Sequence, residues 1–211
     1  MRVTRYPYDV PGWGVGEVWV RDGIVIQHEL ASETLRSATR APDDDLGRVG
    51  VGGGATSGHG PDREWTALAK PTTAPPNGGA GLPAGTVPGK LSPRSAGIVS
   101  DLCRRVAAHL AGDPTSYDGI TIDLDWATPL QRELAAAARA VPWGEVVSYG
   151  ELAALAGRPG AARAAGSFCA DNRYSLIIPC HRVVAANGIG GYGAAGPALK
   201  RRLLALEGVD L

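Results

Sequence analysis

The sequence predicts an α/β (α+β) chain in two parts. Residues 1–125 read as a variable unit with a small antiparallel β-sheet plus a helix, and residues 126–211 as a helical unit built on a helix-turn-helix. Three observations predict this. β-forming residues flank a tight turn at Arg21-Asp22-Gly23, apolar residues recur every four places from Ile98 to Leu110, and two short helix patterns are separated by Gly157-Arg158-Pro159-Gly160. Alternation with period two marks a strand, a period near 3.6 marks a helix, and Gly-Pro clusters break both.

The elements follow in order. Gly16 to Val20 and Ile24 to Ile26 form the two arms of a β-hairpin, and residues 33–40 read as a short helix. Residues 41–97 hold 13 Gly and 8 Pro and keep neither period. They read as a long insertion with a short ordered piece around Trp65 to Ala69. The insertion's glycines do not make a phosphate-cradling loop, because no Gly-Lys-Ser/Thr follows them. Ala96 to Ala111 is the striped helix, closed by Gly112-Asp113-Pro114, and Ile120 to Leu124 alternates like a strand. Thr128-Pro129 opens a helix that runs to about Ala140, with Pro in its first turn.

Val141-Pro142-Trp143-Gly144 is a turn, and Ser148 with Glu151 makes a capping box for a helix over residues 149–156. A second helix covers residues 161–170 and is nearly all small residues. Two short helices around a Gly-containing turn are the helix-turn-helix pattern. A helix this stripped of bulk fits closely against another surface, and Arg163 is its only long polar side chain. The closing segment runs from the Asn187-Gly188 turn through Gly190-Gly191-Tyr192-Gly193 to a helix from Pro197 to about Glu207, ended by Gly208.

The net charge is zero, yet its distribution is uneven: residues 1–127 carry 12 Lys/Arg against 15 Asp/Glu, and residues 128–211 carry 9 against 6. That modest basic bias suits a polyanion partner and equally a solvated surface. No apolar run is long enough to span a bilayer. The start of the chain lacks the apolar core of a signal peptide, which leads us to expect a cytoplasmic protein. Three Cys at unrelated spacings argue for reduced thiols rather than a disulfide framework.

The chemistry centres on Cys180-His181. The segment Leu176-Ile177-Ile178-Pro179-Cys180-His181-Arg182-Val183-Val184 has apolar runs on both sides, so its polar centre is expected to be buried. A free Cys is mostly protonated at neutral pH, and an imidazole that takes its proton, steadied by an acid such as Glu207, would make it a nucleophile. The bland alternative is an inert packed thiol.

The surrounding string goes further. Pro179-Cys180-His181-Arg182-Val183 resembles the active-site signature of the O6-alkylguanine-DNA alkyltransferases. The resemblance extends in order from Thr128-Pro129-Leu130-Gln131-Arg132, through Val141-Pro142-Trp143-Gly144-Glu145-Val146-Val147-Ser148-Tyr149 and Ala161-Ala162-Arg163-Ala164, to Leu203-Leu204-Ala205-Leu206-Glu207-Gly208. It covers about 80 residues. It implies a winged-helix-like C-terminal domain that transfers the alkyl group from O6-alkylguanine, and from O4-alkylthymine as a second lesion, to Cys180. The transfer is irreversible, single-turnover and cofactor-free. The partner implied is double-stranded DNA bearing O6-alkylguanine, met by a monomer away from any membrane.

The resemblance also implies roles. Cys180 is the acceptor, His181 deprotonates it through a water, Glu207 orients His181, and Asn172 ties the helix-turn-helix to the active-site segment. Arg163 fills the gap left by the flipped nucleotide, with Ala161, Ala162, Ala164, Gly166 and Ser167 pressed into the minor groove. Tyr149 crowds the 3′ phosphate and donates a proton toward the leaving guanine. Tyr192, Val183, Cys169, Gly191 and Gly193 belong to the base pocket. Asn172 is followed by Arg173 where the family has Asn-Pro. Cys169 reads as a small helix residue or as a neighbour of Cys180. Cys103, His28, His59 and His109 show no metal-ligand spacing, so no metal is expected. Two other readings are an alkyltransferase-like protein that binds lesions without transfer, which usually has Trp in place of the acceptor Cys, and a thiol hydrolase with a Cys-His-Glu triad.

Overall fold

The computed structural model describes residues 3–32 and 91–211. The helix expected over residues 33–40 and most of the Gly/Pro-rich insertion lie outside these residues. The described chain starts with an antiparallel sheet in the order β1 (Thr4–Val10), β2 (Gly14–Arg21), β3 (Ile24–Ser32). Asp22 and Gly23 both take positive φ, 50° and 80°. That is the twist-matched two-residue hairpin turn that Asp-Gly favours. The hairpin is longer than its sequence signal, and β1 carries no clear signal at all. Its Pro7 lacks an N–H, and such a strand is tolerated at a sheet edge.

Helix α1 (Pro93–Leu110) packs its stripe of Val99, Leu102, Cys103, Val106 and Leu110 into the main core. Burying each aliphatic side chain of this kind is worth roughly 1.5–3 kcal/mol. The sequence places the helix start at Ala96, inside the glycine-rich stretch. The structure starts it at Pro93, because Ser92 accepts the Ser95 N–H as an N-cap and Pro93 fills the first turn. Trp13 Nε1 donates to the carbonyl of Leu110 at 3.1 Å, which fixes the end of α1 to the β1–β2 corner.

The outer edge of β3 is covered by two later segments. Val25 N–H donates to Thr121 O at 3.0 Å and Asp123 N–H to Val25 O at 2.9 Å. Residues 120–124, expected as a strand, thus form a single bridge, Val25 to Ile122. Further along, His28 N–H donates to Arg173 O at 2.8 Å. The His28 ring, fully buried, lies 2.6 Å from Ser175 O and 2.7 Å from the Tyr8 hydroxyl. A carbonyl only accepts, so Nδ1 carries the proton and Nε2 accepts from Tyr8. These bonds blunt the sheet edge and tie the N-terminal sheet to the segment that leads into Cys180.

Helix α2 (Pro129–Arg139) has the reciprocal capping box of Thr128 and Gln131. Ser148 and Glu151 cap α3 (Tyr149–Leu155) in the same way. Each such cap is worth about 1 kcal/mol. Gly157 and Gly160, at φ 73° and 91°, make the break before α4 (Ala162–Ala170). A short parallel pair, β4 (Val147–Ser148) with β5 (Val183–Val184), places the start of the helix-turn-helix beside the Cys-His segment. Helix α5 (Gly196–Leu206) closes the fold with Leu203 and Leu204 fully buried.

Candidate active site

Cys180, His181 and Arg182 form one turn of 3₁₀ helix, all buried, between the bend at residues 172–178 and β5. Asn172 builds that bend. Its Nδ2 donates to Ile178 O at 2.9 Å and its Oδ1 accepts Tyr174 N–H at 2.9 Å. Leu176 holds φ +65°, a left-handed conformation costing about 1–2 kcal/mol in a non-glycine residue. Its neighbours hold it there, through Ile177 N–H to Ser175 O and Ile178 N–H to Tyr174 O, both 2.9 Å.

Glu207 is the hub of the buried polar groups. His181 Nε2 lies 2.8 Å from Glu207 Oε1. A carboxylate only accepts, so Nε2 carries the proton and Nδ1 keeps its lone pair. Nδ1 has no hydrogen-bond partner among the described residues. Arg182 grips the same carboxylate through Nε (2.9 Å) and Nη2 (2.9 Å) and donates Nη1 to Val141 O at 2.7 Å. Gly144 N–H also reaches Glu207, at 3.2 Å. Burial works to raise the Glu207 pKa, but the flanking His109, His181 and Arg182 groups outweigh it and hold the carboxyl well below the usual range. Burial lowers the His181 pKa to about 4, against the pull of Glu207, so the imidazole is neutral near pH 7.

The sequence reading missed His109. Fully buried at the end of α1, it puts Nε2 3.3 Å from Glu207 Oε1 and sets its ring edge-on to His181, centroids 5.7 Å apart. His109, His181 and Glu207 bring three potential ligand atoms within 4.8 Å of one another. Arg182 binds both oxygens of that carboxylate, so its charge is balanced by a buried ion pair, with the two imidazoles beside it. No local spacing connects these residues; only the fold brings them together.

Around Cys180 stand Cys169, Asn172, Lys200, Tyr149 and Tyr192. A hydrogen bond with Cys169 and burial push the Cys180 thiol well up, while Lys200 and Asn172 oppose them. Cys180 therefore rests as a thiol and needs a base when it reacts. Lys200 is a second residue missed from sequence: it is fully buried and donates Nζ to the carbonyls of Val183 and Gly191. Burial lowers its pKa. Burial and the two nearby thiols raise the Tyr149 pKa, which keeps the phenol protonated as a proton donor. Tyr149 lies over Gly166 of α4 and under Gly190, whose Cβ would fall 3.0 Å from the hydroxyl. Burial likewise pushes the Tyr192 phenol up, against a hydrogen bond with Ser175. A cavity of about 100 Å³ is lined by Cys169, Asn172, Ser175, Tyr192 and Gly193 among others. Val183 and Gly191 are not part of its lining; Val183 is fully buried in β5.

Along α4, Arg163 and Ser167 are exposed and Ala161, Ala162, Ala164 and Gly166 half-buried. Arg163 makes no hydrogen bond or ion pair among the described residues. Arg158, by contrast, is held by Glu133 at 2.8 and 2.9 Å, and Arg173 stacks 4.4 Å over Trp126.

Two of the buried histidines, His28 and His181, predict a pH dependence. Burial holds both His28 and His181 at about 4, from an ordinary 6.5. Between those values the unfolded chain binds more protons than the folded one, so stability falls as pH drops from about 6.5 toward 4. Urea unfolding midpoints at pH 7 and pH 5 check this. Equal midpoints would refute it.

Comparison with known proteins agrees with this geometry. Residues 129–209 match the family described as 6-O-methylguanine DNA methyltransferase, DNA binding domain. The methylated-DNA–protein-cysteine methyltransferase of Salmonella typhimurium is 42% identical over 120 residues, 56% of this chain and 67% of that protein. The enzyme of that name from Cricetulus griseus is 53% identical over 72 residues, 34% of each chain. Among solved structures, Mycobacterium tuberculosis OGT in complex with DNA matches with a TM-score of 0.60 and 27% identity, covering 97% of this chain and 93% of that one. The O6-methylguanine-DNA methyltransferase of Pyrococcus kodakaraensis, 20% identical, shares the fold at a TM-score of 0.54, covering 98% of this chain and 99% of that one. No helix among the described residues is long and apolar enough to cross a membrane. A buried Cys-His-Glu constellation beside a small-residue helix-turn-helix, together with relatives matched across two-thirds of their length, assigns this chain to the methylated-DNA–protein-cysteine methyltransferase family.

Proposed function

We propose that this chain repairs DNA directly, Cys180 taking the alkyl group from O6-alkylguanine in duplex DNA and keeping it. The observation that carries the reading is the His181–Glu207 hydrogen bond of 2.8 Å. It leaves Nδ1 as the one basic nitrogen of a neutral imidazole on the residue next to a buried thiol. The Cys180 proton passes through a water to Nδ1, and Glu207 compensates the imidazolium formed. The sulfur attacks the alkyl carbon, the carbon–O6 bond breaks, and the purine leaves as it takes a proton from the Tyr149 hydroxyl. Proton donation of this kind contributes roughly 10²–10⁴-fold.

The target oxygen lies inside the duplex, so the nucleotide must be flipped out, at a cost of a few kcal/mol. Arg163 fills the vacated space, and the small residues of α4 let the backbone approach the minor groove. Tyr192, Cys169, Asn172 and Gly193 line the cavity that takes the base. In this reading residues 126–211 form the reacting domain and residues 1–125 a variable domain that braces it. The protein works as a cytoplasmic monomer without a cofactor.

The test is intact mass and peptide mapping after mixing with a duplex carrying one O6-methylguanine. The expected result is one added methyl per chain, located on the tryptic peptide of residues 174–182, which contains Cys180. A chain that binds the lesion tightly but gains no mass overturns the transfer reading in favour of a lesion-binding protein.

A further inference from the structure

The N-terminal sheet reaches the cavity beside Cys180 through one side chain. His28, on β3, is buried against the bend that leads to Cys180. Three hydrogen bonds join it to that bend: His28 N–H to Arg173 O at 2.8 Å, Ser175 N–H to His28 O at 3.3 Å, and His28 Nδ1–H to Ser175 O at 2.6 Å. The first two are backbone bonds, open to any residue with a backbone N–H at position 28. The third belongs to the imidazole. The other ring nitrogen, Nε2, lies 2.7 Å from the Tyr8 hydroxyl. Ser175 is half-buried and lines the cavity of about 100 Å³ together with Cys169, Asn172 and Tyr192. It also opens a tight turn, in which Ile177 N–H donates back to Ser175 O at 2.9 Å across Leu176 at φ +65°. A three-residue turn with positive φ at its centre is rare and strained, and it persists only where its surroundings hold it. Ser175 O thus takes one donor from inside the turn and one from β3. The Cys180 end of the bend is fastened separately, by Asn172 Nδ2 to Ile178 O at 2.9 Å.

We infer that His28 is a positioning residue for this cavity: its Nδ1–H holds the Ser175 carbonyl, and with it the part of the wall that Ser175 forms against the incoming base. Both ring nitrogens are already bonded, so His28 supplies geometry rather than a proton. Without this bond the Ser175 carbonyl keeps only the Ile177 N–H, and the strained Leu176 is free to relax toward ordinary backbone angles. Ser175 would then shift in the wall, while Cys180, His181 and Glu207 keep their own supports. A residue of the sheet thereby governs how well the cavity accepts a base, and much less how fast the bound base reacts. The inference rests on the alkyl-transfer reading for what the cavity takes, not for the coupling between His28 and the wall.

His28→Phe keeps a buried ring on β3 and removes the donor. The Tyr8 hydroxyl retains Glu29 O, 3.1 Å away, as a partner, and Ser175 O retains the Ile177 N–H, so no buried polar group is orphaned. Single-turnover benzyl uptake is followed over a range of free O6-benzylguanine concentrations in the full chain. The half-saturating concentration is expected to rise about tenfold, the scale of one lost hydrogen bond, with the limiting rate unchanged. His28→Asn, whose amide nitrogen falls near the place of Nδ1, should restore most of the loss. Tyr8→Phe loosens the same sheet but leaves the Nδ1 bond, and its half-saturating concentration should match the parent's. A His28→Phe chain that loses only its fraction of reactive molecules, at an unchanged half-saturating concentration, overturns the inference. So does an equal rise in His28→Phe and Tyr8→Phe, which would trace the effect to the stability of the sheet. The ring signals of Tyr192 in isotope-labelled chain, assigned with Tyr192→Phe, give a readout that needs no transfer. They should move in His28→Phe and return in His28→Asn. If the parent chain takes up no benzyl group, the transfer reading falls, and unmoved Tyr192 signals would then overturn the positioning role on their own.

Discussion

Glu207→Ala is expected to destabilise the chain by about 3–5 kcal/mol and to abolish measurable transfer. The size follows from what the carboxylate holds. Arg182 is 7% exposed and spends two of its donors on Glu207. Truncation leaves a buried guanidinium with Val141 O as its remaining partner, and breaking a buried pair from one side costs in that range. His181 loses the acceptor that fixes its tautomer, and Gly144 N–H loses its partner as well. Glu207→Gln separates the two effects. It keeps the volume and one acceptor oxygen but removes the charge that stabilises an imidazolium. Its stability should recover in part, while transfer to O6-benzylguanine stays slowed by at least ~10²-fold, in line with lost acid–base support. Urea unfolding and single-turnover benzyl uptake measure both. A Glu207→Ala chain as stable as the parent would show that Arg182 and His181 do not depend on this carboxylate.

How legible this centre was depended on the range of each interaction. The capping boxes of Thr128 and Ser148 and the Asp22-Gly23 turn involve residues within four positions, and local chemistry alone specifies them. The burial of Cys180, His181 and Arg182 followed from the apolar runs on either side. His109 and Lys200 obey no local rule. On periodicity His109 is one more position of the α1 stripe, and its meaning depends on a carboxylate at the far end of the chain. Lys200 reads as a solvated helix residue between Leu199 and Leu203, yet it is fully buried because the carbonyls of Val183 and Gly191 satisfy its ammonium. β1 was hidden for a different reason: with Pro7 and mixed polarity it draws its stability from pairing with β2, not from its own propensity.

Arg163→Ala is expected to slow repair of O6-methylguanine in duplex DNA by about 10–100-fold and to leave benzyl uptake from free O6-benzylguanine unchanged. Arg158, Arg173 and Arg182 are each committed to a carboxylate or an aromatic ring. Arg163 stands exposed on α4, without a hydrogen bond or ion pair among the described residues. Its removal should therefore cost the fold little, and any loss belongs to the complex with DNA. Stacking a planar group in place of a base is worth about 1–3 kcal/mol, and each 1.36 kcal/mol is about tenfold in rate. A free base analogue has no stack to fill, so it bypasses this contribution. Arg163→Lys keeps the charge but loses the plane, and it should recover little of the duplex rate if stacking is the cause. If Arg163→Lys restores the duplex rate in full, the residue acts as a phosphate counter-charge. If Arg163→Ala slows both substrates equally, its effect runs through the fold of the Cys180 site, and the side chain has no place in the opened duplex.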